Sequence, residues 1–124
     1  MGTLKVFIVE DNKWYGEILM HHLSLNPDFE IHLFENGASC ISNLNLNPDV
    51  ITIDLTLPDM NGEELFEKIK QINPTLPVIF IFKYLKSNDM HSIFWNKKRF
   101  FISIFLIKRT LKTSQFRLLF FQLY

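Results

Sequence analysis

Two stretches of the chain end in acids where strands should end: "VFIVED" at residues 6–11 and "VITIDLTLPDMNG" at residues 50–62. Glu10 and Asp11 close the first, a β-branched and aromatic run, and Asp54 closes the apolar run of the second. In an open parallel α/β sheet, ligands gather outside the carboxyl ends of the strands, so both sets of acids fall on one edge. If the two runs are neighbours, about 4.8 Å separates them and three carboxylates crowd together. Like charges that close are unfavourable unless they are protonated or neutralised by a cation. A hard divalent ion with oxygen ligands, Mg²⁺ or Mn²⁺, answers that need. Such an ion also neutralises a phosphoryl group in transit, leaving a carboxylate oxygen to act as nucleophile. An acid at a strand's end is often only a loop residue or a cap, and Asp11 alone reads that way. Glu10, Asp11 and Asp54 together read as a site.

The elements that must position these acids alternate. "LKVFIVED" is the first strand, followed by "NKWYGEILMHHLSLNP" with Tyr15, Ile18, Leu19, His22 and Leu23 along one helix face. Asn12 suits that helix's start, and Pro27 lies beyond its end. "FEIHLFENG" alternates as a second strand, and "ASCISNLNL" carries Cys40, Ile41 and Leu44 at helical spacing. "DVITIDL" is almost wholly apolar, as expected of a strand covered on both faces. In "NGEELFEKIKQIN" Asn61 and Glu64 resemble a capping box, with Leu65, Ile69 and Ile72 facing inward. "LPVIFI" begins a fourth strand. This βαβαβαβ order predicts an α/β fold with a parallel sheet and helices on both faces.

The chain has 124 residues, 48% of them apolar, which suits a single globular domain over 1–124. Its one cysteine, Cys40, permits no internal disulfide, and with no Cys/His cluster a structural zinc is not expected. No signal peptide is expected at "MGTLKVFIVED", and the apolar run "FFISIFLI" at 100–107 is too short to span a bilayer. The expected setting is cytoplasmic. The formal net charge of zero conceals a division. Residues 1–81 hold four Lys/Arg against twelve Asp/Glu, whereas residues 82–124 hold nine against one. Every Gly and Pro lies at or before Pro77, and eight of the thirteen Phe follow Ile81.

"VFIVEDN", "DVITIDLTLPDMNGEEL" and "PVIFI" together resemble the response-regulator receiver domain of two-component signalling, over about residues 4–81. The resemblance implies a flavodoxin-like, doubly wound (βα)5-type sheet, not itself an enzyme. It implies Mg²⁺-dependent phosphorylation by a histidine kinase or a histidine phosphotransfer protein. By position, Asp54 is the phospho-acceptor and Asp11 a direct Mg²⁺ ligand. Glu10 acts through water, the Thr56 carbonyl supplies a further ligand, and Pro58 and Gly62 shape the loop. Two family features are missing. Phe82 stands where the family places a Ser or Thr at the end of the fourth strand. The lysine that pairs with the phosphate has only Lys108 as a substitute, a few residues late, with Lys83 too early and on the wrong strand. The departure coincides with the break in composition. The simplest hypothesis is a frameshift or aberrant gene end that leaves the last βα units degraded or atypical and the switch impaired. The competing functions are a phosphorylation-independent interaction module or defective remnant, and a Mg²⁺ phosphohydrolase. The last usually needs an acid two residues after its nucleophile, where this chain has Thr56.

The other reactive types read more plainly. His21 and His22 suit a surface and a half-buried place on the first helix, and Cys40 a small core residue. Trp14 suits either the mouth of the site or ordinary helix packing. "NKKRFF" reads as a solvated basic face or an accident of the tail, so neither nucleic acid nor membrane is an expected partner. No motif marks an oligomeric state.

Overall fold

The computed structural model describes residues 2–81. Four apolar runs form the strands β1 (Leu4–Val9), β2 (Phe29–Phe34), β3 (Val50–Asp54) and β4 (Val78–Ile81). Between them run α1 (Lys13–Ser24), α2 (Gly37–Ser42) with a 3₁₀ turn at Leu44–Leu46, and α3 (Gly62–Ile72). All strand pairs are parallel, in the order β2-β1-β3-β4. The chain therefore moves outward from β1 to β2, then crosses back to place β3 on β1's other side. That reversal between β1 and β3 opens a crevice at their carboxyl ends.

Alternation along the strands divides the core in two. On one face Leu4, Val6, Ile8, Val50, Ile79 and Ile81 pack with Leu19 and Leu23 of α1. On the other, Phe7, Val9, Ile51, Ile53, Val78 and Phe80 pack with Cys40 of α2 and Leu65, Phe66 and Ile69 of α3. The inner strands β1 and β3 are covered from both sides, which explains their near-continuous apolar sequence. Thr52 is a buried polar residue within β3, and its hydroxyl donates to the Phe7 carbonyl at 3.4 Å. Burial at Cys40 pushes its thiol up to about 12, as suits a core residue.

The helix caps follow the sequence. The Asn12 side chain accepts from Tyr15 N at 3.0 Å, and that of Asn61 from Glu64 N at 2.8 Å. Each satisfies an amide that the first helical turn leaves without a partner. Asn36 does the same for α2 through Ser39 N. At the other end of α3, the Lys70 amine lies over the Phe66 ring and donates to the Leu76 carbonyl, tying the helix to the turn before β4.

Two helix faces differ from expectation. The buried stripe of α1 is Gly16, Leu19 and Leu23, with Tyr15 and Met20 partly buried. Ile18 is 44% exposed, and His21 and His22 both face solvent. The stripe is turned because Gly16, which carries no apolar side chain to announce itself, packs directly against Leu33 of β2. A Cβ there would lie 3.0 Å from Leu33 Cδ1. In α3, Phe66 is buried and Ile72 is 58% exposed. Inward packing stops at Ile69, because the chain leaves the helix at Asn73 in an extended conformation. Phe82, Lys83, Lys108, the strand expected at 100–107 and the helix expected after it lie outside the described residues.

Candidate functional site

Strand register brings the acids together. Val9 pairs with Ile53 across β1 and β3, so Glu10 and Asp54 are each the next residue beyond the same rung. Glu10 is 1% exposed and Asp54 8%, while Asp11 is exposed. One carboxylate oxygen from each of the three lies within 4.8 Å of the others. Thus Glu10, Asp11 and Asp54, read from separate parts of the sequence, form a single cluster.

One wall of the site is the short β1–α1 loop. Glu10 N continues the ladder by donating to the Phe34 carbonyl at 2.9 Å. Glu10 Oε1 accepts from Asn12 N at 3.1 Å, so the residue that caps α1 also orients Glu10. Gly16, in the next turn, lies beside the Glu10 stem, where a Cβ would be in ordinary contact with Glu10 Cγ at 3.4 Å.

The other wall is the β3–α3 loop, closed at its base. Thr56 and Asn61 form an isolated antiparallel bridge, and Gly62 N donates to the Leu55 carbonyl at 2.8 Å. Gly62 lies so near the strand end that a Cβ would stand 2.7 Å from the Asp54 carbonyl oxygen and 2.9 Å from Leu55 Cα. Pro58 is exposed in the outer part of this loop. Beyond it, Asp59 accepts from Gly37 N at 3.0 Å through Oδ1 and from Ala38 N at 2.9 Å through Oδ2. These two backbone donors hold the Asp59 carboxyl below its ordinary range. Met60 packs directly on Gly37, where a Cβ would meet its sulfur at 2.6 Å.

Asp59, Met60 and Gly37 were not among the candidates read from the sequence. The two Asp59 hydrogen bonds span twenty-one and twenty-two positions. The only local signal was the "ENG" that opens α2. Trp14, at the head of α1, is 73% exposed.

The donor set suits a hard divalent cation. Oxygen ligands of a single Mg²⁺ at about 2.1 Å lie no more than about 4.2 Å apart. A cluster within 4.8 Å therefore fits an ion with small side-chain adjustments, or with one carboxylate acting through water. Acids gathered on a strand-end crevice and walled by two loops can neutralise a cation and present a carboxylate to an incoming group.

A family model described as the response regulator receiver domain matches residues 6–101. The chain belongs to the response-regulator receiver family. This receiver is 31% identical over 86 residues to protein-glutamate methylesterase/protein-glutamine glutaminase 1 of Caulobacter vibrioides, an overlap of 65% of this chain and 24% of that protein. It is 32% identical over 77 residues to the transcriptional regulatory protein CreB of Escherichia coli, covering 61% of this chain and 33% of CreB. The receiver thus spans between a quarter and a third of the length of these relatives.

Among solved structures, the response regulator domain of Thermotoga maritima CheB superimposes with a TM-score of 0.59 at 27% identity, covering 64% of this chain and 60% of that one. The receiver domain of nitrogen regulatory protein C gives 0.63 at 29% identity over 77% of each chain. The Francisella response regulator 1452 receiver domain, 20% identical, shares the fold with a TM-score of 0.65, over 88% of this chain and all of that one. The flavodoxin-like expectation is met by the parallel sheet and these neighbours. The matched span also runs beyond Ile81, where the resemblance read from motifs stops. Among the described residues, no helix is long and apolar enough to cross a membrane.

Proposed function

We propose that this receiver accepts a phosphoryl group on Asp54 from the phosphohistidine of a histidine kinase or a phosphotransfer protein in the cytoplasm. The observation that carries the reading is the cluster itself. Asp54 ends a buried strand one step beyond the rung that brings Glu10 beside it, with the three acids' oxygens within 4.8 Å. An Asp54 carboxylate oxygen attacks phosphorus, the bond from phosphorus to the donor's imidazole nitrogen breaks, and an acyl phosphate forms. The donor histidine leaves with the electron pair of the broken bond. Mg²⁺, when bound, offsets the negative charge that the carboxylates and the phosphoryl oxygens bring together. Asp11 and Asp54 would ligate it directly, the Thr56 carbonyl would add a ligand, and Glu10 would act through water. Pro58 and Gly62 set the loop that carries Thr56. Burial of Glu10 keeps that carboxylate in place, because its stem is enclosed between strand and helix.

Intact-mass measurement after incubation with a small phosphodonor and Mg²⁺ should show one added phosphoryl group. Asp54→Asn should remove the gain, and so should chelation of the metal. Labelling of Asp54→Asn at the wild-type level would overturn the assignment. Downstream switching should be weak, because Phe82 offers no hydroxyl to the phosphoryl group. Phe82→Thr should then strengthen the conformational response to phosphorylation, read as phosphodonor-induced amide shifts. Sequencing the coding DNA around residue 82 checks the frameshift. A one- or two-base shift should restore a Ser/Thr and a later Lys at family spacing.

A further inference from the structure

The β3–α3 loop is held at two places. At its base Gly62 rests on the backbone of Asp54 and Leu55, and Thr56 bridges Asn61. Farther out, both carboxylate oxygens of Asp59 take the first two amides of α2, and Met60 presses on Gly37. Thr56 belongs to the base fastening, and Leu57 and Pro58 link it to the outer one. The base contact and Leu57, buried in the core, fix the inner loop, but they would leave Pro58, Asp59 and Met60 free to pivot. Two parallel N–H···O bonds from consecutive amides, with a side chain packed beside them, remove that freedom. The contact also joins two segments that share no strand pairing, so nothing else in the sheet ladder duplicates it.

We propose that Asp59 is a positioning residue of the site: by pinning the β3–α3 loop to the first turn of α2, it sets the Thr56 carbonyl relative to Asp54 and so tunes cation affinity and phosphoryl acceptance. This rests on the phospho-acceptor reading above and adds a residue that touches neither cation nor phosphoryl group. Small displacements of a ligand around a reacting centre are costly, so loss of the pin should be felt at Asp54.

The test uses the full chain with Asp59→Ala and Asp59→Asn; the latter keeps one acceptor oxygen and nearly the same shape. Labelling rate is measured against Mg²⁺ concentration, alongside thermal stability. Asp59→Ala should slow labelling about tenfold and raise the Mg²⁺ concentration for half-maximal rate, with Asp59→Asn in between. If both variants lose only thermal stability and keep the wild-type rate and Mg²⁺ half-point, Asp59 is merely structural and the proposal is overturned. Should Asp59→Ala not fold, Asp59→Asn alone decides by the same two readouts. If the wild-type chain takes no phosphoryl group, the reading of Asp54 fails separately. The pin is then judged by Mg²⁺-induced amide shifts across residues 55–62. A weaker midpoint in Asp59→Asn supports it, and an equal midpoint or no response in the wild type overturns it.

Discussion

The two loops that wall the site reach rigidity by opposite routes. Beyond the ladder bond from Glu10 N to the Phe34 carbonyl, the β1–α1 loop is held by bonds between near neighbours: Asn12 N to Glu10, Tyr15 N to Asn12, and Gly16 N to the Asn12 carbonyl. The β3–α3 loop is closed at its base by its own residues, but its outer part is held by residues far away in the chain, through Asp59 to Gly37 and Ala38 and through Met60 on Gly37. A loop of a few residues between a strand and a helix has little freedom to lose, and one capping side chain suffices. A longer loop needs an anchor outside itself. The contrast implies that the first wall should tolerate changes elsewhere in the fold, whereas the second should report on α2.

The largest expected change is chemical: Asp54→Asn should abolish labelling, whereas any loop variant should only slow it. Gly62→Ala comes next. Its Cβ would overlap backbone atoms of Asp54 and Leu55, which cannot swing aside as a side chain can. Chemical denaturation should show a loss of about 2–4 kcal/mol. Gly37→Ala should cost much less, since the obstacle there is the flexible end of Met60. A Gly37→Ala loss as large as that of Gly62→Ala would mean that Met60 has nowhere to move and that the outer fastening is as rigid as the base.

Smaller effects separate local from distant support. Asn12→Ala and Asn61→Ala should each cost about 1 kcal/mol of stability through the lost cap. Asn12→Ala should leave amide exchange in residues 55–60 unchanged, and faster exchange there would show that the two walls are coupled after all. The smallest expectation is a pH dependence. The Asp59 carboxyl has a lower value in the fold than its ordinary 3.8. Its contribution to stability is therefore present above that ordinary value and lost as pH falls through the folded one. In acid titrations followed by circular dichroism, wild type and Asp59→Asn should differ at neutral pH and converge toward strongly acidic pH. Because this carboxylate is solvent-exposed, the difference should be modest and reduced by salt.

Much of the fold was legible because its cues are local. β1 and β3 announced themselves by apolar runs ending in acids, and Asn12 and Asn61 by their places before helical patterns. Periodicity turns the α1 face away from its true side because it counts apolar side chains, and Gly16, which packs against Leu33, has none. Ile18 fits the helical period yet faces solvent, and Ile72 fits it yet lies past the last inward turn. The acids were legible as candidates from their positions at strand ends, whereas Asp59 was not. Nothing in "LPDMNG" says that its acid caps a helix that begins at Gly37, since the match exists only once both segments are in place.

By itself, the sequence determined that acids would stand at the ends of two strands and that a Gly-marked loop would follow one of them. Residue types and short spacings decide that much, because strand propensity, capping and turns act over a few positions. Tertiary structure alone decided that Glu10 and Asp54 would leave the same rung, and that Asp59 would reach α2. Strand register and loop anchoring depend on which distant surfaces meet, and burial of both sheet faces selects that arrangement.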